Sequence, residues 1–138
     1  MAQRQKVPYL TADAIIEYGV GIVLIERKFP PLGWALPGGF VDYGEDVMSA
    51  AIREAKEETN LDMEDVEFFT LRTDPKRDKR FHIITAIFAG KGRGTPKAED
   101  DAKNIGVFEF NKIPKLVCDH NQIVEEYLKA IQVAYVAE

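Results

Sequence analysis

The feature that most constrains the fold is a predicted helix at Asp46–Thr59 that carries three acidic residues on one face. Good helix formers occupy most of this segment, and Asn60, which tolerates a left-handed cap conformation, follows it. Glu54, Glu57 and Glu58 stand at i, i+3 and i+4, so a rotation of about 100° per residue places them side by side. Like charges at this spacing destabilise an isolated helix. The segment therefore predicts a compensating cation, and Mg²⁺ fits because it prefers carboxylate oxygens, water and phosphates.

The alternative is an acidic helix face that points to solvent, and two neighbouring features favour the metal site over it. Gly38 and Gly39 precede the helix and allow the main chain to approach a metal and phosphates closely. Glu45 and Arg53 carry opposite charges, and we predict that they pair and tie the loop to the helix.

The segments around this helix predict an α/β fold. A second helix is predicted at Asp119–Val133, and polar loops at Asp74–Arg80 and Gly90–Asn104; Pro37–Gly39 is predicted to stop a short strand. The predicted strands are Thr11–Tyr18, Gly21–Ile25, Trp34–Leu36, Val66–Thr73, His82–Ala89 and Gly106–Phe110. This order predicts one domain spanning residues 1–138, with a mixed sheet between helices.

Composition excludes several classes of function. The net charge is −5 and no long basic run occurs, which argues against a nucleic-acid polymer as partner. No apolar run is long enough to span a bilayer, and the polar segment Met1–Lys6 differs from a signal peptide, so we expect a cytoplasmic protein without membrane association. The one cysteine, Cys118, is expected to be a buried thiol near the start of the final helix.

The segment from Gly38 to Leu61 resembles the Nudix box, G-x5-E-x7-R-E-U-x-E-E-x-G-U, in which U is an aliphatic residue. The matching positions are Gly39, Glu45, Arg53, Glu54, Glu57, Glu58 and Leu61. Ala55 is smaller than the usual aliphatic residue, and Asn60 replaces the glycine of the box while tolerating the same cap conformation. Neither departure touches the carboxylates.

This resemblance implies a Nudix-type α/β/α sandwich and a metal-dependent pyrophosphohydrolase. It implies that Glu54, Glu57 and Glu58 bind Mg²⁺ or Mn²⁺, with the Gly38 carbonyl as a further ligand. The general base varies in this family, so a glutamate of the box and an acid of the later loop, with Asp101 as first choice, both remain open. The implied partner is a small nucleotide, and a homodimer is common among similar proteins.

The substrate is expected to be determined outside the box. Pro75, fourteen residues after Leu61, resembles a marker of ADP-ribose pyrophosphatases, and the surrounding loop and Cys118–Ile123 look like small prokaryotic members of that group. This implies cleavage of ADP-ribose to AMP and ribose 5-phosphate. An ordinary loop proline is the alternative for Pro75.

Candidate substrate contacts lie on both sides of the box. They are Arg27, Trp34, Gly39, Pro75, Arg77 and Arg80. Arg77 and Arg80 are candidates for a terminal phosphate or ribose, or belong to a solvated turn. Trp34, Phe40 and Tyr43 are candidates for stacking on a base, although core packing is favoured for Phe40.

Three other functions compete with ADP-ribose hydrolysis. Two are enzymatic: house-cleaning hydrolysis of nucleoside triphosphates such as 8-oxo-dGTP, and hydrolysis of diadenosine polyphosphates. The third is a Nudix-fold protein that binds a nucleotide as a sensor without cutting it. Such regulators are expected to need an added DNA-binding domain, and the intact box carboxylates favour catalysis.

Overall fold

The computed structural model describes residues 5–137, and in this part of the chain seven strands form one sheet flanked by two helices. The elements are β1 Tyr9–Tyr18, β2 Gly21–Arg27, β3 Trp34–Ala35, β4 Gly38–Phe40, α1 Val47–Thr59, β5 Asp62–Arg72, β6 Ile83–Arg93, β7 Ala102–Glu109 and α2 His120–Ala137. The α/β fold with a mixed sheet between helices, predicted from the sequence, is confirmed. Neither helix is long and apolar enough to cross a membrane.

The sheet is mixed because β1 runs parallel to β6, whereas the other strand pairs are antiparallel. The strand order is β3-β2-β1-β6-β5, with β4 added to β1 and β7 added to β2. One edge of β1 has two partners: its end pairs with β2 at Glu17 and Tyr18, and its beginning pairs with β4 over Thr11–Asp13. The first two strands therefore diverge, and β4 pairs with the part of this edge of β1 that β2 leaves free.

Several strand boundaries predicted from the sequence were wrong; β5, for example, begins at Asp62 and not at Val66. The short strand β3 ends before Pro37, as predicted, but Gly38 and Gly39 themselves belong to a new strand, β4, because main-chain pairing with β1 outweighs the low strand propensity of glycine. The predicted loop Gly90–Asn104 is shorter, since β6 continues to Arg93 against β5 and β7 begins at Ala102 against β2. These strand ends are polar and half exposed, which hides them from a search for apolar runs.

Each face of the sheet packs against one helix. On β1, Ala14 and Ile16 belong to an apolar cluster that includes Ala55 of α1, whereas Ile15 between them packs in a cluster with residues of α2. Residues of α2 in that cluster are Ile123, Val124 and Tyr127. Because α1 contacts the sheet through small side chains, its backbone lies close to the strands, and the acidic face of the helix is brought to the edge of β4.

The termini of α1 are defined by local capping. The side chain of Asp46 accepts a hydrogen bond from the Ser49 N–H at 3.2 Å and caps the first turn. Asn60 closes the last turn with φ 66°, in the left-handed conformation predicted for it. The capped helix holds its glutamates in one register relative to β4.

Candidate active site

A cavity of about 280 Å³ opens beside the start of α2, on the face of the sheet that Thr11 and Asp13 share with Ile15. Its floor comes from three neighbouring strands, with Thr11 and Asp13 on β1, Gly38 on β4 and Ile83 and Thr85 on β6. One wall is the acidic face of α1, and the opposite wall is the loop between β5 and β6 together with the start of α2.

The acidic wall contains carboxylates that burial makes costly to ionise. Glu54 and Glu58 line the cavity, while Glu57 lies one turn away with 42% of its side chain exposed. Burial raises the pKa of Glu58 to about 8, although its carboxylate accepts a hydrogen bond from the Gly38 N–H at 3.0 Å. Burial also raises the pKa of Glu54. A bound cation would favour the ionised form of both groups.

The two glycines of β4 create the space beside these carboxylates. A Cβ on Gly39 would lie 2.6 Å from the Glu54 carboxylate, and one on Gly38 would collide with Asp13. In the antiparallel ladder the Pro37 carbonyl accepts from the Ala14 N–H at 2.9 Å, so the next residue, Gly38, directs its own N–H and C=O away from β1. A main-chain oxygen therefore joins the carboxylates as a possible ligand.

Arg53 organises the acidic wall. Its Nε donates to one oxygen of Glu45 at 2.7 Å and its Nη2 to the other at 2.9 Å, so the predicted pair is present as a two-pronged ion pair. This pairing lowers the pKa of Glu45 to about 2. Nη2 also donates to the Phe40 carbonyl at 3.1 Å, and Nη1 donates to Glu54 at 2.9 Å and Glu57 at 3.1 Å. The arginine thereby ties β4, the loop and α1 together.

The acidic wall suits a hard divalent cation, which prefers oxygen donors. Within the described residues, no three His, Cys, Asp or Glu side chains already converge on a single metal position. The Arg53 guanidinium instead bridges Glu54 and Glu57. The candidate donors on this wall are nevertheless all oxygens, from Glu54, Glu57, Glu58 and the Gly38 carbonyl, and oxygen donors are the ligands that fit such an ion.

The floor of the cavity contains a buried pair that the sequence pattern did not reveal. Asp13 and His120 approach each other at 3.5 Å between Oδ2 and Nε2. Burial raises the pKa of Asp13 to about 7 and lowers that of His120 to about 4. His120 Nδ1 accepts from the Leu36 N–H at 3.1 Å, so the neutral ring carries its proton on Nε2, towards Asp13. The signal for this pair in the sequence was Asp13, an acidic residue inside the apolar run of β1.

The wall opposite the glutamates is rich in charge, but its charges neutralise each other. Arg77 forms two hydrogen bonds to Asp119, at 2.9 and 2.8 Å, and only 6% of its side chain is exposed. Arg80 forms two hydrogen bonds to Asp78, at 3.1 and 2.8 Å. Cys118 donates to the same Asp78 at 3.6 Å and is exposed at the cavity, not buried as predicted. Both predicted arginines reach the cavity already paired.

Several predicted contacts lie elsewhere. Trp34 packs edge-on against Phe108 at 5.0 Å between ring centroids and does not line the cavity, since an indole at this position fills the core beside β7. Pro75 is exposed on the loop outside the cavity, and Tyr43 is fully exposed. Phe40, for which core packing was favoured, is instead 51% exposed and lines the cavity.

Arg27, a candidate substrate contact, and Asp101, the candidate base, both line the cavity. Arg27 extends from the end of β2, and its Nε donates to the Phe29 carbonyl at 3.3 Å. Asp101 is exposed in the loop before β7, where its main-chain oxygen accepts from the Lys28 N–H at 3.3 Å. A side chain of each sign therefore stands at this part of the rim.

This combination of fold and acidic wall defines a known class of protein. The sequence model of the NUDIX domain matches residues 8–128, and the chain belongs to the Nudix hydrolase family. Members of this family use divalent metal ions.

The known proteins that are similar to this chain include the following three. An ADP-ribose pyrophosphatase of Methanocaldococcus jannaschii is 42% identical over 125 residues, which cover 88% of this chain and 74% of that protein. A MutT/nudix family protein of Enterococcus faecalis has a TM-score of 0.82 at 25% identity; the match covers 96% of this chain and 65% of that one. A bifunctional NMN adenylyltransferase/ADP ribose pyrophosphatase of Francisella tularensis, complexed with AMP and a manganese ion, has a TM-score of 0.77 at 28% identity over 93% of this chain and 43% of that one.

Proposed function

We propose that this protein hydrolyses ADP-ribose to AMP and ribose 5-phosphate with Mg²⁺ or Mn²⁺ as cofactor. The observation that carries the proposal is the oxygen-rich wall of α1 and β4, which faces a cavity beside the start of α2. Glu54, Glu57, Glu58 and the Gly38 carbonyl are the residues that would hold the cation. The substrate is taken from the relative that is 42% identical, an ADP-ribose pyrophosphatase.

A divalent cation bound there would neutralise charge on the diphosphate and make water a better nucleophile. Asp101, exposed at the cavity rim, is our candidate for the base that removes the proton from the attacking water. Arg27, on the same rim, is our candidate for attracting the diphosphate. In the reaction, the water oxygen bonds to one phosphorus and the bridging P–O bond breaks, giving AMP and ribose 5-phosphate.

The paired charges of the opposite wall favour ADP-ribose over a nucleoside triphosphate. A third phosphate directed at this wall would need free positive charge, whereas Arg77 and Arg80 are held by Asp119 and Asp78. The terminal ribose of ADP-ribose is uncharged, so it can be bound by shape complementarity and hydrogen bonds alone. The wall therefore suits a diphosphate that ends in a sugar.

The test is a comparison of kcat/KM for ADP-ribose, 8-oxo-dGTP and a diadenosine polyphosphate, each with Mg²⁺ and with Mn²⁺. Products are identified by mass, and a chelator in a parallel reaction removes any metal-dependent turnover. We expect AMP and ribose 5-phosphate, with ADP-ribose as the preferred substrate. A preference of about tenfold or more for either rival, which is about 1.4 kcal/mol of transition-state stabilisation, would overturn the assignment.

A further inference from the structure

We propose that Tyr9, Phe40 and Phe81 form an aromatic shelf that receives the purine base of the substrate. This inference rests on the proposed function and specifies where the adenine end of the nucleotide binds. The three rings contact one another: Tyr9 meets Phe40 at 5.7 Å and Phe81 at 5.2 Å between centroids, in both cases edge to face.

The shelf continues the floor of the cavity outwards. Side chains two residues apart on a strand share a face, so Tyr9 lies in one row with Thr11 and Asp13 on β1. Phe40 likewise shares a face with Gly38 on β4, and it pairs with Thr11 across the ladder. Two strand residues span about 7 Å, so the shelf begins about one nucleoside length or less from the floor beside the glutamates.

The β6 side of the shelf is supported in the same way. Tyr9 is opposite Ile83 in the parallel ladder, and its N–H donates to the His82 carbonyl at 3.0 Å. Phe81 stands two residues before Ile83, which lines the cavity. The shelf therefore rests on hydrogen-bonded main chain on both sides of β1, which makes it a preformed surface.

Exposure indicates that the shelf is a binding surface. Tyr9, Phe40 and Phe81 remain 51, 51 and 50% exposed, although each is large and apolar. Contiguous exposed apolar patches on a soluble protein are often binding surfaces. Phe40 also lines the cavity, so the shelf is continuous with the candidate active site.

The chemistry of the shelf selects the base and not the sugar. Aromatic rings offer a flat apolar surface, and a base stacks on such a surface whatever its hydrogen-bonding edge. The phosphate of ribose 5-phosphate needs positive charge, which Arg27 offers, and its ribose needs hydrogen bonds, which the polar groups of the opposite wall offer. The adenine of AMP is therefore the part of the substrate that matches the shelf.

The experiment measures binding of AMP and of ribose 5-phosphate by calorimetry, in the presence of Mg²⁺, to wild type and to Phe40→Leu and Phe81→Leu. Leucine keeps an apolar side chain but removes the flat ring. We expect the Kd for AMP to rise about tenfold in each variant, while the Kd for ribose 5-phosphate stays unchanged. Phe68→Leu is the matched control, because Phe68 is 57% exposed on β5, outside the cavity, and should leave both Kd values unchanged.

Three results would overturn the shelf: no binding of AMP to wild type, unchanged AMP binding in both variants, or weakened binding of ribose 5-phosphate instead. Sedimentation of the same samples tests a second copy as the occupant, and conversion of a wild-type dimer to monomers by either variant would also overturn the inference. Because binding does not depend on turnover, failure of ADP-ribose hydrolysis in wild type contradicts the proposed function separately from the shelf.

Discussion

Both walls of the cavity contain several charged side chains, but these are compensated within the protein on one wall and only partly compensated on the other. On the wall of α1, burial raises the pKa of Glu54 and Glu58. The chain supplies only part of the positive charge that these carboxylates need. On the wall of the β5–β6 loop, Arg77 and Arg80 each hold a carboxylate through two hydrogen bonds. The first wall is suited to binding an ion, whereas the second is a shaped and internally neutralised surface.

The difference shows that charge in a sequence predicts a binding role only where the fold leaves it uncompensated. A buried carboxylate without a cation pays a desolvation cost, so the affinity for a metal can come from relieving it. A buried arginine already paired with a carboxylate gains little from a phosphate, since the existing pair must first be broken.

The largest effect is expected for Glu57→Gln. A neutral amide is a poor ligand for a hard cation, so kcat/KM should fall by about a thousandfold or more, which is about 4 kcal/mol. The unfolding midpoint should change little, because 42% of the Glu57 side chain is exposed. The matched control is Glu64→Gln, an exposed acid on β5 paired with Arg93. Turnover close to wild type in Glu57→Gln would exclude the proposed metal ligands.

On the opposite wall, Arg77→Ala should mainly reduce stability. Removing one partner leaves Asp119 as a half-buried charge without its arginine, which costs about 3–5 kcal/mol for a buried pair. Urea unfolding measures this loss, and Lys79→Ala, an exposed change in the same loop, is the control. If stability were retained while affinity for ADP-ribose collapsed, Arg77 would be a substrate contact and the contrast between the walls would fail.

The buried pair at the floor of the cavity, Asp13 and His120, predicts a pH effect. The pKa of His120 is about 4 in the folded protein and about 6.5 in the unfolded chain, so between these values the unfolded chain binds the extra proton. His120 therefore stabilises the fold above pH 6.5, and this contribution is lost as pH falls towards 4.

His120→Gln should not lose this part of its unfolding free energy at low pH, a difference of up to about 3 kcal/mol from wild type. Asp13 has a pKa raised to about 7, so it acts in the opposite sense in both proteins. The measurement is the difference in unfolding free energy between the two proteins at pH 7 and at pH 4.5. An equal difference at the two pH values would contradict a neutral, buried imidazole.

The smallest effect is expected for Arg53→Ala, because this residue supports the acidic wall through other residues. Residues that orient metal ligands contribute about ten- to a hundredfold, so kcat/KM should fall by that amount. Hydrogen exchange in residues 40–46 should become faster as the ties to Glu45 and the Phe40 carbonyl are lost. Arg93→Ala, which removes an exposed ion pair on β6, is the control. Unchanged exchange with lost substrate binding would make Arg53 a substrate contact.

The sequence predicted the helix α1, its left-handed cap at Asn60 and the Glu45–Arg53 pair, and the structure confirms each of them. These features depend on residues within about ten positions of one another, so helix geometry and local charge were sufficient. The full extent of the sheet was harder to predict from the sequence. The strand β4 contains two glycines and forms only because β1 lies alongside it.

What the sequence by itself determined is therefore the acidic face of α1, because the spacing of Glu54, Glu57 and Glu58 and the rotation of a helix leave one arrangement. The tertiary structure alone decided that Arg77 is paired with Asp119, forty-two residues away, and that Phe40 faces the cavity. Local propensity contains no information about such partners. A side chain is free to bind a ligand only if no distant residue has already satisfied it, and that depends on how the sheet and helices pack.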